Sequence, residues 1–456
     1  MFVNRESELK ELSKYLDMNR DILIYGLRGI GKTALLKNFY RQLLDKNISA
    51  IFLDGLKIVS PSILARYLGV EYTNPYDILN TLSSINSVIL IDEFTTIFDV
   101  FSSYQPYRGR SSVARHFRSI VLERRERRLP PIIISSSALG VVHREIKKYF
   151  GPLFREFKHI FIGPLAIEDA AKIALKYVSD RNIAIAIAEI SQGHPWYTIV
   201  LATDYPIYRD PKKTLENSLE KGDLNIYFTA LYNALTPKEK IIVHIVSRGY
   251  NRYSDIEKYL MEDPTIYLTR LVNSGIIYKV KKHRKESYYF IIDKLFKSWL
   301  ELQDIVGLSR KSLEKIFVSN ISFEALIREL FINIVTPTEI RDEKRSIYIL
   351  NPVKHVVKTN WSGIDIDVLA FIDENTVNIF ECYFGEKAGI KKIRQILKAS
   401  KIVLDRGYKI NIAGCISYFG FKENILNIAR KHNIALISKR QLKKIKEING
   451  LKYFPF

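Results

Sequence analysis

Gly26-Leu27-Arg28-Gly29-Ile30-Gly31-Lys32-Thr33 has the spacing GxxxxGK[ST], the pattern of a loop that wraps a phosphate. Gly26, Gly29 and Gly31 free backbone N–H groups to point at phosphate oxygens, Lys32 can reach the β and γ phosphates, and the Thr33 hydroxyl can hold Mg²⁺. A second acidic signal follows at Asp92-Glu93, directly after an aliphatic run from Ser87 to Ile91. Asp92 is placed to complete a magnesium shell and Glu93 to polarise an attacking water, so the pair predicts hydrolysis of ATP with Mg²⁺ as well as binding. The structural alternative is an Asp-Glu pair that merely opens a helix.

These residues need a scaffold that brings their chain segments to one edge. The apolar run DILIY at 21–25 predicts a strand entering the loop, and ALLKNFYRQLL predicts the helix leaving it. The run at 87–91 reads as a buried parallel strand, whose C-terminal end is where ligands bind in open α/β sheets. Residues 132–134, after Pro130-Pro131, read as a third strand that delivers Ser135-Ser136-Ser137 to the same edge.

The opening FVNRESEL, the loop GLRGIGKT, the acidic strand end, the polar strand end IIISSS and the later Gly193-His194-Pro195 together resemble the archaeal ATPases of the AAA+/STAND group. The resemblance implies a P-loop parallel-sheet core over 1–163 and a helical lid over 164–228. It further implies that Ser136 occupies a sensor position near the γ phosphate and that Pro195 approaches the nucleotide base. Two positions depart from the pattern: Asn4 stands where Gly is usual, and Ser135-Ser136-Ser137 where Gly-Ser-Ser is usual.

Arg108, Arg110, Arg115, Arg118, Arg124, Arg125, Arg127 and Arg128 lie between the acidic strand and the serine strand. One of them could complete a neighbouring subunit's site as an arginine finger, which would imply a homo-oligomer. The alternative is a solvated basic helix or a phosphate-binding surface.

Residues 229–300 predict a winged helix. Thr236-Pro237-Lys238-Glu239 caps a helix, a second helix follows at 254–260, a third opens after Asp263-Pro264, and the strands IIYKV and YYFII flank a basic turn. In that arrangement the third helix would enter a major groove with Thr265, Tyr267, Thr269 or Arg270. Lys281, Lys282, Arg284 and Lys285 of the wing would meet phosphate of double-stranded DNA. Tyr267 and Leu268 serving as core residues of an interaction module is the alternative.

Residues 364–384 read as a hairpin turning at Glu374, which sets Asp367 opposite Glu381. Leu369, Val377 and Ile379 are expected on their face, and Ile366, Val368, Phe380 and Phe384 on the other. Burying two unpaired carboxylates costs several kcal/mol, and a Mg²⁺ held by Asp367 and Glu381 would supply the missing charge, as metal-dependent nucleases require. The segment resembles the PD-(D/E)xK nuclease fold over 301–456, and this resemblance implies Glu324 as an outer acid and Gln395 as an auxiliary residue. The family's lysine falls at Tyr383, which leaves cleavage and simple binding both open, with Lys387 or Lys391 as displaced sources of the charge.

The formal charge of +21, from 70 Lys plus Arg against 49 Asp plus Glu, favours a polyanionic partner. Residues 391–450 hold 15 basic and 3 acidic side chains, just beyond the acidic hairpin. No apolar run approaches the ~20 residues of a membrane span, so a cytoplasmic protein with no membrane partner is expected. Cys382 and Cys415 are expected to be buried thiols. The combined expectation is an α/β, DNA-associated ATPase with a metal-dependent nuclease-like domain. A rival is a STAND-type switch that uses ATP to control assembly and keeps the C-terminal domain as a binding platform.

Overall fold

The computed structural model describes residues 3–136, 157–281, 287–303, 322–385 and 387–456. They fall into two compact units: Met1–Pro164 with His194–Val200 and Asp263–Tyr278, and Leu165–Gly193 with Leu201–Glu262 and Lys279–Phe456.

The first unit is built on five strands, β1 (Ile22–Gly26), β2 (Ala50–Asp54), β3 (Val88–Asp92), β4 (Ile132–Ser136) and β5 (Lys158–Ile162). All pair in parallel, in the order β2-β3-β4-β1-β5. β1, β3 and β4 read as near-continuous aliphatic runs because both faces of the sheet are covered. On one face Ile22, Ile24, Val88, Leu90 and Ile133 pack with Leu12 of α1 (Glu6–Asp17) and with Leu35, Leu36 and Phe39 of α2 (Lys32–Asp45). On the other, Leu23, Ile89, Ile91, Ile132 and Ile134 pack against α3 (Pro61–Leu68), α4 (Pro75–Asn80), α5 (Phe94–Phe101) and α6 (Arg110–Glu126). The alternation decides which strand-end side chains can meet the phosphate loop, because only the first face carries α2.

The second unit opens with α7 (Ile167–Ala174) and α8 (Arg181–Ile190), which pack on each other, and the chain then enters α9 (Pro195–Tyr208). Next come α10 (Pro211–Glu220), α11 (Asp223–Asn233), α12 (Pro237–Ser247) and α13 (Tyr253–Leu260), then α14 (Thr265–Asn273), which belongs to the first unit, and after it the paired strands β6 (Ile277–Lys281) and β7 (Ser287–Ile291) and helix α15 (Lys294–Gln303). Thr236 caps α12 through a reciprocal capping box with Glu239.

The C-terminal part holds α16 (Phe323–Ile332), the hairpin β8 (Thr338–Arg341) and β9 (Ile347–Leu350), and a second five-stranded sheet. That sheet runs β10 (His355–Trp361), β11 (Ile364–Phe371), β12 (Thr376–Tyr383), β13 (Lys409–Ser417) and β14 (Ala435–Ser438) in spatial order. The first three strands form an antiparallel meander. The last two are parallel additions reached through α17 (Ile390–Asp405) and α18 (Leu426–Lys431), and α19 (Lys439–Ile448) follows. Leu369, Val377 and Ile379 pack with Ile393, Ile396 and Ala399 of α17, while Phe380 meets Phe331 of α16.

Ile366 departs from its expected face and joins Leu369, Val377 and Ile379. Two steps along β10, from Val357 to Thr359, match three along β11, from Leu369 to Ile366. β11 therefore carries a bulge at 367–368, and the pleat expected from strict alternation breaks there. Among the described residues no helix is long and apolar enough to cross a membrane. Cys382 and Cys415 are both free and buried.

Candidate functional site

The phosphate loop leaves β1 at Gly26 and enters α2 at Lys32. Gly31, at the N-cap of α2, has φ +100°, a left-handed conformation that an L side chain adopts only with strain. Gly29 has φ +75°, and a Cβ there would also stand 2.8 Å from Cβ of Trp196. Lys32 is 4% exposed and folds its ammonium back onto the carbonyls of Gly26 at 3.2 Å and Leu27 at 2.9 Å. Burial pushes the Lys32 ammonium down to about 8, with Glu93 and Asp92 pulling the other way. The same ammonium can exchange those carbonyls for phosphate oxygens at the cost of a side-chain rotation.

Asp92 ends β3 and is buried, and the Ser135 hydroxyl donates to its Oδ1. The Glu93 N–H donates to Ser135 Oγ at 3.2 Å, and Glu93 itself sits at φ 47°, ψ 48° as the N-cap of α5. A left-handed carboxylate residue at a strand end is strained, and such strain persists where the surroundings over-determine it. Ser135 is the serine on Asp92, and Ser136, the sensor position that the resemblance implies, is the next residue of β4 and is buried. Side chains alternate along a strand, so Ser135 shares the face of Ile133, toward α2, and Ser136 shares that of Ile134, in register with Tyr25. Ser137 lies outside the described residues. Thr33 is exposed in the first turn of α2, and its hydroxyl and the Asp92 carboxylate are hard oxygen donors of the kind that could hold Mg²⁺.

Two side chains that the motif does not include brace the loop. Arg5, buried at the start of α1, donates to the Ile30 carbonyl at 3.1 Å and the Gly163 carbonyl at 2.8 Å, and pairs with Glu8. His194 Nε2 donates to the Arg28 carbonyl at 3.0 Å, its Nδ1 accepts from the Tyr197 N–H, and its ring stacks on Tyr197. Burial pushes the His194 imidazole down to about 3, so it stays neutral in this arrangement. Pro195 is the first residue of α9, between His194 and Trp196.

The arginines divide by function within the fold. Arg124 is 2% exposed and donates to the carbonyls of Leu82, Ile85, Ser87 and Pro130, which overturns its reading as a solvated base. Arg125 pairs with Asp21, which in turn accepts from the Ile132 N–H; Arg110 pairs with Asp99, and Arg127 with Glu123. Arg108, Arg115 and Arg128 are exposed.

On α14, Leu268 and Leu271 are buried, whereas Thr265, Thr269 and Arg270 are exposed and Tyr267 is half-buried. Lys281 is exposed at the end of β6. Lys282, Arg284 and Lys285 lie outside the described residues.

In the second sheet the register pairs Val368 with Phe380, Leu369 with Ile379 and Phe371 with Val377, and Asp367 and Glu381 are the residues next beyond its last pair. The Cys382 N–H donates to Asp367 Oδ2 at 2.9 Å, and Arg328 of α16 donates to the Asp367 carbonyl at 3.1 Å. Burial, then repulsion from Asp367, raises the Glu381 carboxyl to about 7. Lys392, in the first turn of α17, places Nζ 3.4 Å from Glu381 Oε2. The other carboxylate oxygen, Oε1, is buried with no hydrogen-bond partner, as is Oε1 of Gln395. Those two uncompensated oxygens are what a bound cation would satisfy, so Asp367 and Glu381 fit Mg²⁺ on the chemistry of their donors. Among the described residues no group of three or more His, Cys, Asp or Glu is arranged to hold a metal, so Glu324 does not join the pair as a third ligand. Lys387 and Lys391 are exposed.

The sequence reading missed Arg5, Ser135, Arg328 and Lys392. Strand parity would have selected Ser135, and the three-residue step between Lys392 and Gln395 puts both on one face of a helix.

Comparison with known proteins gives partial matches. Residues 2–75 match the model of an ATPase domain found predominantly in Archaea. An uncharacterized protein of Methanocaldococcus jannaschii, MJECL04, is 24% identical over 308 residues, 63% of this chain and 66% of its own length. A ClpA homolog, the ATP-binding subunit of the ATP-dependent Clp protease, from Pyropia yezoensis is 24% identical over 299 residues, 58% of this chain and 35% of its own. The chain thus spans less than two thirds of these relatives. Among solved structures, the Walker-type ATPase paby2304 of Pyrococcus abyssi aligns with TM-score 0.47 and 20% identity, covering 66% of this chain and 96% of that one. The ORC2 protein of Aeropyrum pernix aligns with TM-score 0.45 and 13% identity, covering 66% and 94%.

Proposed function

We propose that this chain binds and hydrolyses ATP at the loop 26–33 in association with double-stranded DNA, and that its C-terminal sheet is a phosphodiester-hydrolysing domain. The observation that carries the first part is the meeting of Lys32, Asp92 and Glu93 with Ser135 at the C-terminal edge of one parallel sheet. Lys32 binds the outer phosphates, Ser135 holds the Asp92 carboxylate in orientation, and Glu93 draws a proton from the attacking water. Mg²⁺ held by Thr33 and Asp92 neutralises phosphate charge when bound. Support for DNA comes from the excess of 70 basic over 49 acidic residues and from the exposed Thr265, Thr269, Arg270 and Lys281. For the C-terminal sheet it comes from the buried pair Asp367 and Glu381, which offers oxygen donors to a divalent cation.

The test is ATP turnover with and without duplex DNA across a salt series. Turnover should rise on adding duplex, and the gain should fade as salt rises, because phosphate contacts release counterions. A slow turnover indifferent to duplex would replace this reading with the ATP-controlled switch.

A further inference from the structure

The lysine position of the nuclease-like strand is taken by Tyr383, whose hydroxyl lies 2.9 Å from where a Cβ on Gly385 would stand. A cation nevertheless reaches the carboxylates from another element. Lys392 is the third residue of α17, after the N-cap Gly389, and its ammonium meets Glu381 Oε2 at 3.4 Å.

Its position is costly on local grounds. The N-terminus of a helix carries a partial positive charge that disfavours a lysine, and the first turn of α17 contains no acidic residue to offset it. The side chain is only 22% exposed, so solvent does little to repay that cost. Gln395, one turn on along the same face, aims an oxygen with no partner into buried space. Glu381 is 3% exposed and keeps its own Oε1 without a partner. Asp367 lies at the bulge on β11, with its carbonyl held by Arg328 and its carboxylate by the Cys382 N–H. The contact with Lys392 therefore accounts for one Glu381 oxygen and not for the other.

We propose that Lys392, delivered from helix α17, is the catalytic cation of a phosphodiester hydrolysis site formed with Asp367 and Glu381, replacing the lysine that Tyr383 displaces. The inference rests on the phosphodiesterase reading given above. In the step it serves, a water oxygen bonds to phosphorus as the ester P–O bond breaks. The water proton passes to a carboxylate, and the leaving oxygen takes a proton from solvent to give a phosphomonoester and a free hydroxyl. Lys392 places its positive charge against the non-bridging oxygens, where negative charge accumulates.

The experiment uses the full chain, supercoiled plasmid DNA and Mn²⁺, with wild type, Lys392→Met, Lys392→Arg and Asp367→Ala. Thermal melts verify that each variant is folded, and calorimetric Mn²⁺ titration supplies a readout independent of cleavage. Lys392→Met should nick at least 100-fold more slowly yet bind Mn²⁺ several-fold more tightly, since a competing cation has left the carboxylates. Lys392→Arg should recover part of the nicking, and Asp367→Ala should lose both nicking and Mn²⁺ binding. Nicking by Lys392→Met at the wild-type rate overturns the assignment of Lys392 and leaves the phosphodiesterase standing. Mn²⁺ binding by wild type without nicking overturns both, and identifies a site that only binds.

Discussion

Glu93→Gln should slow ATP hydrolysis by about two to three orders of magnitude, the usual contribution of a positioned general base, while leaving ATP affinity within a few-fold of wild type. The amide keeps the size and shape of the side chain, so the left-handed backbone at φ 47° and the N–H donated to Ser135 are undisturbed. On the proposed reading phosphate binding rests on Lys32 and the loop amides, all of which the variant retains. The variant therefore traps bound ATP. Separate measurement of nucleotide affinity and of single-turnover hydrolysis checks both halves, and hydrolysis at the wild-type rate would remove Glu93 from the mechanism.

Removing the charge of Glu189 has the second large expected effect, on stability and its dependence on pH. Glu189, on α8, accepts from the Phe323 N–H at 3.1 Å, and burial, then repulsion from Glu324, raises its carboxyl to about 8. A carboxyl whose folded-state pKa lies above its unfolded value binds its proton more tightly when folded. Its stabilising contribution is thus complete below about 4.5 and is lost as pH climbs through about 8. Each tenfold in proton affinity is worth about 1.4 kcal/mol, so the loss amounts to a few kcal/mol, with the attraction to Lys212 already included. Glu189→Gln should melt at a nearly constant temperature between pH 6 and about pH 9 so far as this group contributes, and should exceed wild type at the alkaline end. Parallel melting curves for the two proteins across that range would contradict the burial of this carboxyl as a source of instability.

The chemistry of the phosphate loop was legible because it is local. Strand, glycine turn, lysine and helix follow one another within residues 22–45, and the aliphatic runs at 88–92 and 132–136 could only be buried strands. The hairpin register was legible for a similar reason: a short turn fixes the pairing, and Val368 opposite Phe380 is the pairing a turn at Glu374 requires. The contact of Ser135 with Asp92 was not read from the sequence, although alternation along β4 sets Ser135 and Ser136 on opposite faces. The bulge at 367–368 was not legible, because an extra residue in one strand shows only against its partner. Lys392 and Arg124 depend on helices laid against distant segments. Arg124 looked like one more base in an arginine-rich helix, yet it satisfies carbonyls from Leu82 to Pro130 that would otherwise be stranded.

The central claim, that the loop at 26–33 and the acid pair at 92–93 form one working ATP site, is tested most directly by the steady-state rate of ATP hydrolysis with Mg²⁺ in wild type and Lys32→Ala. The account predicts turnover in wild type and background turnover with weakened ATP binding in Lys32→Ala. Equal rates in the two proteins, or no turnover in wild type despite bound ATP, would contradict it.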